Sequence, residues 1–206
     1  MAQYFRIHPE NPQPRLIRQA VEILQRGGVI VYPTDSAYAL GCRIGEREGL
    51  ERIRAIRQLD EDHHFTLACR DLSEIALYAR VSDPVFRKLK AHTPGPYTFV
   101  LPGTKQVPKR LLHAKRRTIG LRVPEHRIAQ ALLEALAEPL MTTTLILPGE
   151  EHPLSDPEQI AERLGKRVDL VIDGGPGGLA PTTLVDLSDD VPVVLREGLG
   201  DPSTLV

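Results

Sequence analysis

The sequence predicts a single α/β domain in which helices flank a twisted, open, mixed β-sheet. Helix and strand patterns alternate early in the 206-residue chain, whereas strand patterns cluster near its end. Neither a repeat of about 20–50 residues nor a linker-like change of composition divides the chain. We therefore expect residues 1–206 to form one domain.

Six segments have the apolar spacing and boundary residues of helices. In the first, apolar residues recur at helical spacing from Leu16 to Leu24, before Gly27. In the third, Glu74 follows Asp71 at the spacing of a capping box. The predicted helices cover about residues 16–24, 50–58, 71–78, 82–90, 128–136 and 155–164.

Short apolar runs, many of them rich in β-branched residues, predict eight strands. Turn-forming residues bound several of them, such as Pro94 and Gly95 before the third. The predicted strands cover about residues 29–32, 65–69, 97–101, 118–123, 140–147, 168–172, 182–187 and 193–196.

The composition is that of an ordinary globular protein, with 41% apolar residues, 26% charged residues and a net charge of −1. A cytoplasmic location is expected, because the chain has no signal-peptide run and no membrane-length apolar stretch. Cys42 and Cys69 are predicted to be buried thiols without a catalytic role.

Several common chemistries lack their motifs. The chain has no G-x-x-x-x-G-K-[ST] segment, no H-E-x-x-H pair and no G-x-S-x-G elbow. We therefore expect no P-loop, no resident metal site and no covalent nucleophile.

A polar segment directly follows the strand predicted at 29–32. Pro33 ends the strand, and Thr34, Asp35 and Ser36 then offer hydroxyls and a carboxylate to a ligand. Ligands of α/β sheets gather where strands end. The alternative interpretation of this segment is an ordinary strand-to-loop turn.

Other strands carry similar polar residues. Arg122 lies among apolar residues, and a guanidinium in such a strand needs a carboxylate or phosphate partner. Three threonines, at 142–144, interrupt the strand predicted at 140–147, and two more begin the strand predicted at 182–187. Arg196 ends the last predicted strand. Together they predict an anion-binding crevice, lined with hydroxyls and two arginines, at the strand ends.

A basic run predicts an anion-attracting face. Residues 105–122 contain seven Lys or Arg residues and no acid. Solvated surface is the simpler interpretation, and RNA phosphate is the functional one. The residues proposed to contact RNA are Lys105, Lys109, Arg110, Lys115, Arg116 and Arg117.

Six motifs follow one another along the chain: Y-P-T-D-S-A-Y-A-L-G-C, T-P-G-P-Y-T-F-V-L, I-G-L-R-V-P-E-H, P-L-M-T-T-T, P-T-T-L-V-D and V-L-R-E-G. In this order they make the sequence resemble the YrdC/YciO family of threonylcarbamoyl-AMP synthase-like proteins, and most closely its YciO branch. The resemblance covers about residues 16–198.

The resemblance implies a YrdC-like fold with a concave, positively charged cavity. It also implies a reaction of L-threonine, bicarbonate and ATP with magnesium that yields threonylcarbamoyl-AMP and pyrophosphate for tRNA modification. By motif position, Thr34, Arg122, Thr142 and Thr182 would contact threonine. Those that would face ATP are Arg57, His63, Thr118, Thr144 and Arg196.

The chain departs from the family pattern at the expected ATP end. Where the family has K-x-R-P, N-P-L and a His, this chain keeps charge at Arg57 but has Leu59, Asp60, His63 and Ala68. Ile146 replaces the Asn of S-A-N. Each lost charge-assisted contact is worth about 1.5–3 kcal/mol unless a neighbour such as His63, His64 or Arg70 replaces it.

Three hypotheses follow. The first is a threonylcarbamoyl-AMP synthase, weak or divergent in substrate use. The second is a module that binds double-stranded or otherwise structured RNA, including tRNA, without synthase activity; aromatic residues, at 4%, are too few to favour single strands. The third is an enzyme acting on another nucleotide or phosphometabolite. The oligomeric state is left open.

Overall fold

The computed structural model describes residues 1–60, 63, 65–189 and 191–205. In these residues, helices flank a sheet of ten strands, which confirms the predicted α/β class and mixed sheet. The strands are β1 (Gln3–Arg6), β2 (Ile30–Tyr32), β3 (Ala39–Arg43), β4 (Thr66–Ala68), β5 (Tyr97–Pro102), β6 (Thr118–Arg122), β7 (Leu140–Thr144), β8 (Leu170–Asp173), β9 (Thr183–Asp186) and β10 (Val193–Arg196).

All six predicted helices are present. They are α1 (Pro14–Gln25), α2 (Arg47–Arg57), α3 (Leu72–Tyr78), α4 (Asp83–His92), α5 (Arg127–Leu136) and α6 (Pro157–Leu164). The strands lie in the order β1-β8-β2-β3-β7-β4-β6-β5-β9-β10.

The predicted capping box of α3 is half formed. The Asp71 side chain accepts a hydrogen bond from the Glu74 backbone N–H at 2.9 Å. Glu74, however, accepts from the backbone N–H of Arg70 rather than from that of Asp71. The helix therefore begins as the sequence indicates, but its second cap bond lies one residue earlier.

Two strands, β1 and β3, were not predicted. β1 has only two apolar residues, and β3 contains Gly41 and Arg43, so neither has a clear strand pattern. β3 turns back beside β2 in an antiparallel pair that places Gly41 opposite Ile30. A Cβ at Gly41 would lie 2.9 Å from Cε1 of Tyr32, which explains the glycine.

The helices cover the two faces of the sheet unequally. Apolar residues of α2, α3, α4 and α6 belong to one core cluster, which extends along the sheet from β8 to β9. Apolar residues of α1 and α5 form the other cluster with β2, β3, β4, β7 and β8. In the described part of the chain, β5, β6 and β9 contribute no buried apolar residue to this second cluster. The sheet face under α1 and α5 is therefore not covered by these helices at β6, β5 and β9.

Both cysteines are buried free thiols, as predicted. Burial raises the pKa of Cys42 to about 12, which keeps it protonated and unreactive at neutral pH. Among the described residues, none of the helices combines the length and apolar character needed to cross a bilayer.

Candidate functional site

A cavity of about 300 Å³ lies on the open face of the sheet. Side chains of neighbouring strands form its floor. Thr66, Thr98, Thr142 and Leu184 come from β4, β5, β7 and β9, and Gly120 of β6 leaves space between them.

Strand periodicity explains this floor. In β6, Ile119 and Leu121 point into the core beneath α2, α3 and α4, so Gly120 and Arg122 face the opposite side. In β5, Phe99 belongs to that same core while Thr98 faces the cavity. Apolar and hydroxyl residues therefore alternate because one face packs into the core and the other lines the cavity.

Most of the predicted small-molecule residues meet in this cavity. The members that line it are Arg57, His63, Arg122, Thr142, Thr144, Thr182 and Arg196. The expectation that distant hydroxyl and guanidinium groups share one hollow is confirmed for the three arginines and three threonines among them. Their individual roles stay predictions.

Two predicted residues do not line the cavity. Thr34 is buried, and its hydroxyl donates to the carbonyl of Ala37 at 2.6 Å, which shapes the turn that carries Ser36 to the cavity wall. Thr118 is also buried, and its hydroxyl has no hydrogen-bond partner among the described residues. Both would support the cavity rather than form its surface.

The prediction that the site lies at strand ends is wrong for its floor. Thr142 is the middle residue of β7, and Gly120 is the middle residue of β6. The cavity uses the sheet face because α1 and α5 cover only part of it. This differs from a parallel sheet with helices on both faces, where only the strand ends are accessible.

Arg122 already has a carboxylate partner. Its guanidinium donates to Asp35 and, at 3.3 Å, to the hydroxyl of Ser36. The two charged side chains are 8% and 10% exposed. Nε of Arg122 and Oδ2 of Asp35 have no hydrogen-bond partner among the described residues, and both atoms are buried.

The other two cavity arginines lie close together without a carboxylate between them. Arg57 donates to the backbone carbonyl of Ile146, and Arg196 donates to that of Thr182 at 2.9 Å. Burial, and then the charge of Arg196, lowers the pKa of Arg57 below its ordinary value. Because neither arginine forms an ion pair within the described part of the chain, this end of the cavity favours an anion.

The cavity hydroxyls are fixed by hydrogen bonds to the framework. Thr142 accepts from the hydroxyl of Tyr32 at 2.9 Å and donates to the carbonyl of Leu40 at 2.8 Å. Thr98 and Thr182 share a hydrogen bond of 2.7 Å. These hydroxyls are oriented before a ligand arrives, which reduces the entropy cost of binding.

The residues that depart from the family motif have clear positions. Leu59 packs against the core, and Ala68 is fully buried under α1 and α5. His63 lines the cavity, with its Nε2 3.4 Å from the hydroxyl of Thr143. His64, named above as a substitute for a lost phosphate contact, lies outside the described residues, and Arg70 forms an ion pair with Glu74 away from the cavity.

Sequence reasoning missed several cavity residues. Thr66 and Thr98 each interrupt an otherwise apolar strand, the same signal that identified Thr142, but each is a single hydroxyl. Gly120 carried no signal at all. A Cβ there would lie 2.7 Å from Oγ1 of Thr66, so the glycine keeps the floor open.

The predicted RNA-contact residues differ in their contacts. Arg110 donates to the carbonyl of Gly45, and Arg116 pairs with Asp186 at 2.7 Å. Lys105, Lys109 and Arg117 instead line a separate pocket. Lys115 is exposed and lies outside that pocket.

A larger cleft of about 720 Å³ lies beyond the end of β6, but both of its arginines are paired with carboxylates. Arg127 pairs with Glu10 at 3.4 Å, and Arg70 pairs with Glu74 at 3.2 Å. We therefore place the candidate site in the smaller cavity, where Arg57 and Arg196 have no acidic partner among the described residues. Within the described residues, no three His, Cys, Asp or Glu side chains are arranged to hold a metal ion.

Comparison with known proteins identifies the family of the chain. The Sua5_yciO_yrdC family model, described as "Telomere recombination", matches residues 22–198. The YciO protein of Escherichia coli strain K12 is 62% identical over 201 residues, 98% of each chain. Its crystal structure superposes with a TM-score of 0.97 over the whole of both chains.

More distant relatives have named activities or ligands. The threonylcarbamoyl-AMP synthase of Halorhodospira halophila is 30% identical over 180 residues, 86% of this chain and 93% of that protein. The structure of P. abyssi Sua5 complexed with L-threonine has a TM-score of 0.85 at 26% identity, covering 96% of this chain and 57% of that one. The chain belongs to the Sua5/YciO/YrdC family.

Proposed function

We propose that the protein catalyses the ATP-dependent adenylation of a carbamate formed from L-threonine and bicarbonate. The products would be threonylcarbamoyl-AMP and pyrophosphate, which serve tRNA modification in the cytoplasm. The observation that supports this most is the single cavity, in which an Arg–Asp pair lies beside oriented hydroxyls and two further arginines. The synthase relatives and the threonine-bound Sua5 structure support the same chemistry.

The Arg122–Asp35 pair suits a zwitterionic amino acid. Arg122 lines the cavity, so its guanidinium would donate to the α-carboxylate. A shift of the side chain would bring Oδ2 of Asp35, which has no partner among the described residues, within reach of the α-ammonium. The hydroxyls of Thr142 and Thr182 would then receive the threonine hydroxyl. A site built to hydrogen-bond a hydroxyl discriminates against analogues that lack it.

The opposite end of the cavity suits a polyphosphate. Arg57 and Arg196 repel each other across a partly buried space, and phosphate oxygens between them would remove that repulsion. Magnesium would arrive as part of the Mg–ATP substrate. His63 and Thr144 line the same region and would offer further hydrogen bonds.

The proposed chemistry needs no nucleophile from the protein. Bicarbonate takes up a proton and loses water to give carbon dioxide. The threonine ammonium loses one proton to give an amine, whose nitrogen attacks the carbon of carbon dioxide and then loses a second proton, which gives a carbamate. A carbamate oxygen then bonds to the α-phosphorus of ATP as the bond to pyrophosphate breaks. The protein would act by holding both reactants together and by stabilising charge on the phosphates.

The departures from the family motif predict weak nucleotide binding. Leu59 and Ala68 pack into the core, so neither replaces a phosphate contact. Two lost charge-assisted contacts, each worth about 1.5–3 kcal/mol, would lower ATP affinity by two to four orders of magnitude. We therefore expect activity below that of family synthases.

Pyrophosphate release tests the proposal. Purified protein would be incubated with ATP, magnesium, bicarbonate and L-threonine, beside the H. halophila synthase. Release that depends on threonine and bicarbonate is expected, and Arg57→Ala should abolish it. Arg47→Ala removes the same charge from the exposed first residue of α2 and should not. If the protein releases no pyrophosphate under conditions in which the synthase is active, the proposal is contradicted. If release depends on another amino acid instead of threonine, that amino acid is the acceptor.

RNA binding without synthase activity is the second candidate function. The basic residues of the 105–117 segment are exposed. Among the described residues, Lys105, Lys109 and Arg117 form no ion pair. Affinity for a structured RNA should fall steeply as salt rises, because each neutralised phosphate releases a counterion. Affinity that is the same at low and moderate salt would exclude this function.

A further inference from the structure

A second basic site lies outside the cavity, in a pocket of about 430 Å³. Four cationic side chains line it, and no acidic residue is among its lining residues in the described part of the chain. They come from separate places in the sequence: Arg80 follows α3, Lys105 follows β5, Lys109 lies in a short 3-10 helix, and Arg117 precedes β6.

These four cations lack internal partners. Within the parts of the chain that the structure describes, none of them takes part in an ion pair or a side-chain hydrogen bond. Two other arginines of the same basic run behave differently, since Arg110 donates to Gly45 and Arg116 pairs with Asp186. The fold therefore neutralises or anchors some of the run and leaves this group of cations facing one concave space.

The backbone around the pocket is held in place. Thr104 donates its N–H to the carbonyl of Tyr78 at 2.9 Å and its hydroxyl to that of Leu77 at 2.7 Å. Gly103 donates to the carbonyl of Arg117 at 3.0 Å. Arg117 has a φ of 56°, a left-handed conformation that is unfavourable for a residue with a side chain. The four charged side chains are exposed, so water screens much of their repulsion, but an anion in the pocket would contact several of them at once.

We propose that this pocket, lined by Arg80, Lys105, Lys109 and Arg117, binds phosphate groups. Arginine guanidinium groups suit phosphate oxygens through paired N–H donors, and lysines add point charges. The phosphates belong either to a free phosphorylated compound or to the backbone of an RNA, because both present the same oxygens. The site is independent of the adenylation proposed for the cavity.

The test is a titration followed by backbone amide NMR. The probes are inorganic pyrophosphate and a short RNA duplex. Saturable shifts of the Gly103 and Thr104 amides are expected with at least one probe. Since these amides lie in the pocket and not in the cavity, they separate the two sites.

The matched variants are Lys109→Ala and Lys166→Ala, which remove the same charge from two exposed positions. Lys109→Ala should raise the dissociation constant at least about threefold, and Lys166→Ala, which lies outside the pocket, should leave it unchanged. Shifts with RNA alone would identify the backbone as the source of the phosphates, and shifts with pyrophosphate as well would identify a small phosphorylated ligand. Absence of shifts with both probes, or equal weakening by the two variants, would overturn the proposal.

Discussion

Arg122, in the wall of the cavity, forms an ion pair with Asp35 behind it, and the two side chains are 8% and 10% exposed. Such a pair is costly to break from one side only, because the remaining charge is left without a partner in a poorly solvated place. The same pair leaves one donor and one acceptor unused among the described residues. It therefore links the stability of the fold to the chemistry of the site.

Removing one member of this pair should destabilise the protein more than removing both. Arg122→Met is expected to lower the free energy of unfolding by about 3–5 kcal/mol, because Asp35 stays buried and charged. The double variant Asp35→Asn/Arg122→Met should recover much of this loss. Urea unfolding of the parent and both variants would measure the effect. A double variant no more stable than Arg122→Met would show that the two residues are not coupled.

Arg57 should contribute to nucleotide binding through its charge. Arg57→Ala is expected to weaken ATP binding about tenfold or more, since one charge-assisted contact is worth about 1.5–3 kcal/mol. Calorimetric titration with Mg–ATP would measure this change, and Arg47→Ala, at the exposed start of α2, is the matched control. Similar affinities for the two variants would place the phosphates elsewhere.

Gly120 should be required for the space in the cavity. A Cβ at this position would lie 2.7 Å from Oγ1 of Thr66 and 3.1 Å from the carbonyl oxygen of Phe65. Gly120→Ala should destabilise the fold by about 1–3 kcal/mol and weaken ligand binding. Adding Thr66→Ala should restore part of the stability, because one of the two close contacts disappears. A Gly120→Ala variant as stable as the parent would show that the floor of the cavity is not crowded at this position.

His126 should make stability depend on pH. Burial lowers the pKa of this side chain, Asp35 and Glu10 oppose the shift, and Arg122 adds to it. Because the folded protein binds the proton less readily than the unfolded chain, stability should fall as pH drops below the ordinary histidine pKa of about 6.5. Protonation also removes the Nδ1 acceptor that caps α5.

His126→Asn keeps a capping side chain and removes the titration, so at neutral pH it should lie within about 1 kcal/mol of the parent. Unfolding at about pH 7.5 and pH 5.5 compares the two proteins. The parent should lose more stability than the variant at the lower pH. Equal losses would show that another group titrates in this range.

Much of the fold follows from local patterns in the sequence. The six helices were predicted because their buried faces recur at helical spacing, as Ile17, Val21 and Leu24 do in α1. β3 was not predicted because its composition does not indicate a strand. It is a strand because it pairs with β2, and Gly41 leaves room for Tyr32 of that partner strand. Long-range pairing of this kind leaves no local pattern in the sequence.

The site was predictable where polar residues stand out against an apolar strand. Arg122 and Thr142 were identified in this way, and the structure brings both to the cavity. The choice of face was not predictable, because it depends on how far α1 and α5 extend over the sheet. Nor did the sequence reveal that Asp35 would already pair with Arg122.

The most direct test of the central claim, that this cavity binds an amino acid through Arg122, is a calorimetric titration with L-threonine. The parent and Arg122→Lys would be compared in the presence of Mg–ATP, with circular dichroism to verify that both are folded. Lysine keeps the charge beside Asp35 but loses the paired donors of the guanidinium. We predict binding by the parent and affinity at least about tenfold weaker for the variant. Equal affinities, or no binding by the folded parent at millimolar threonine, would contradict the account.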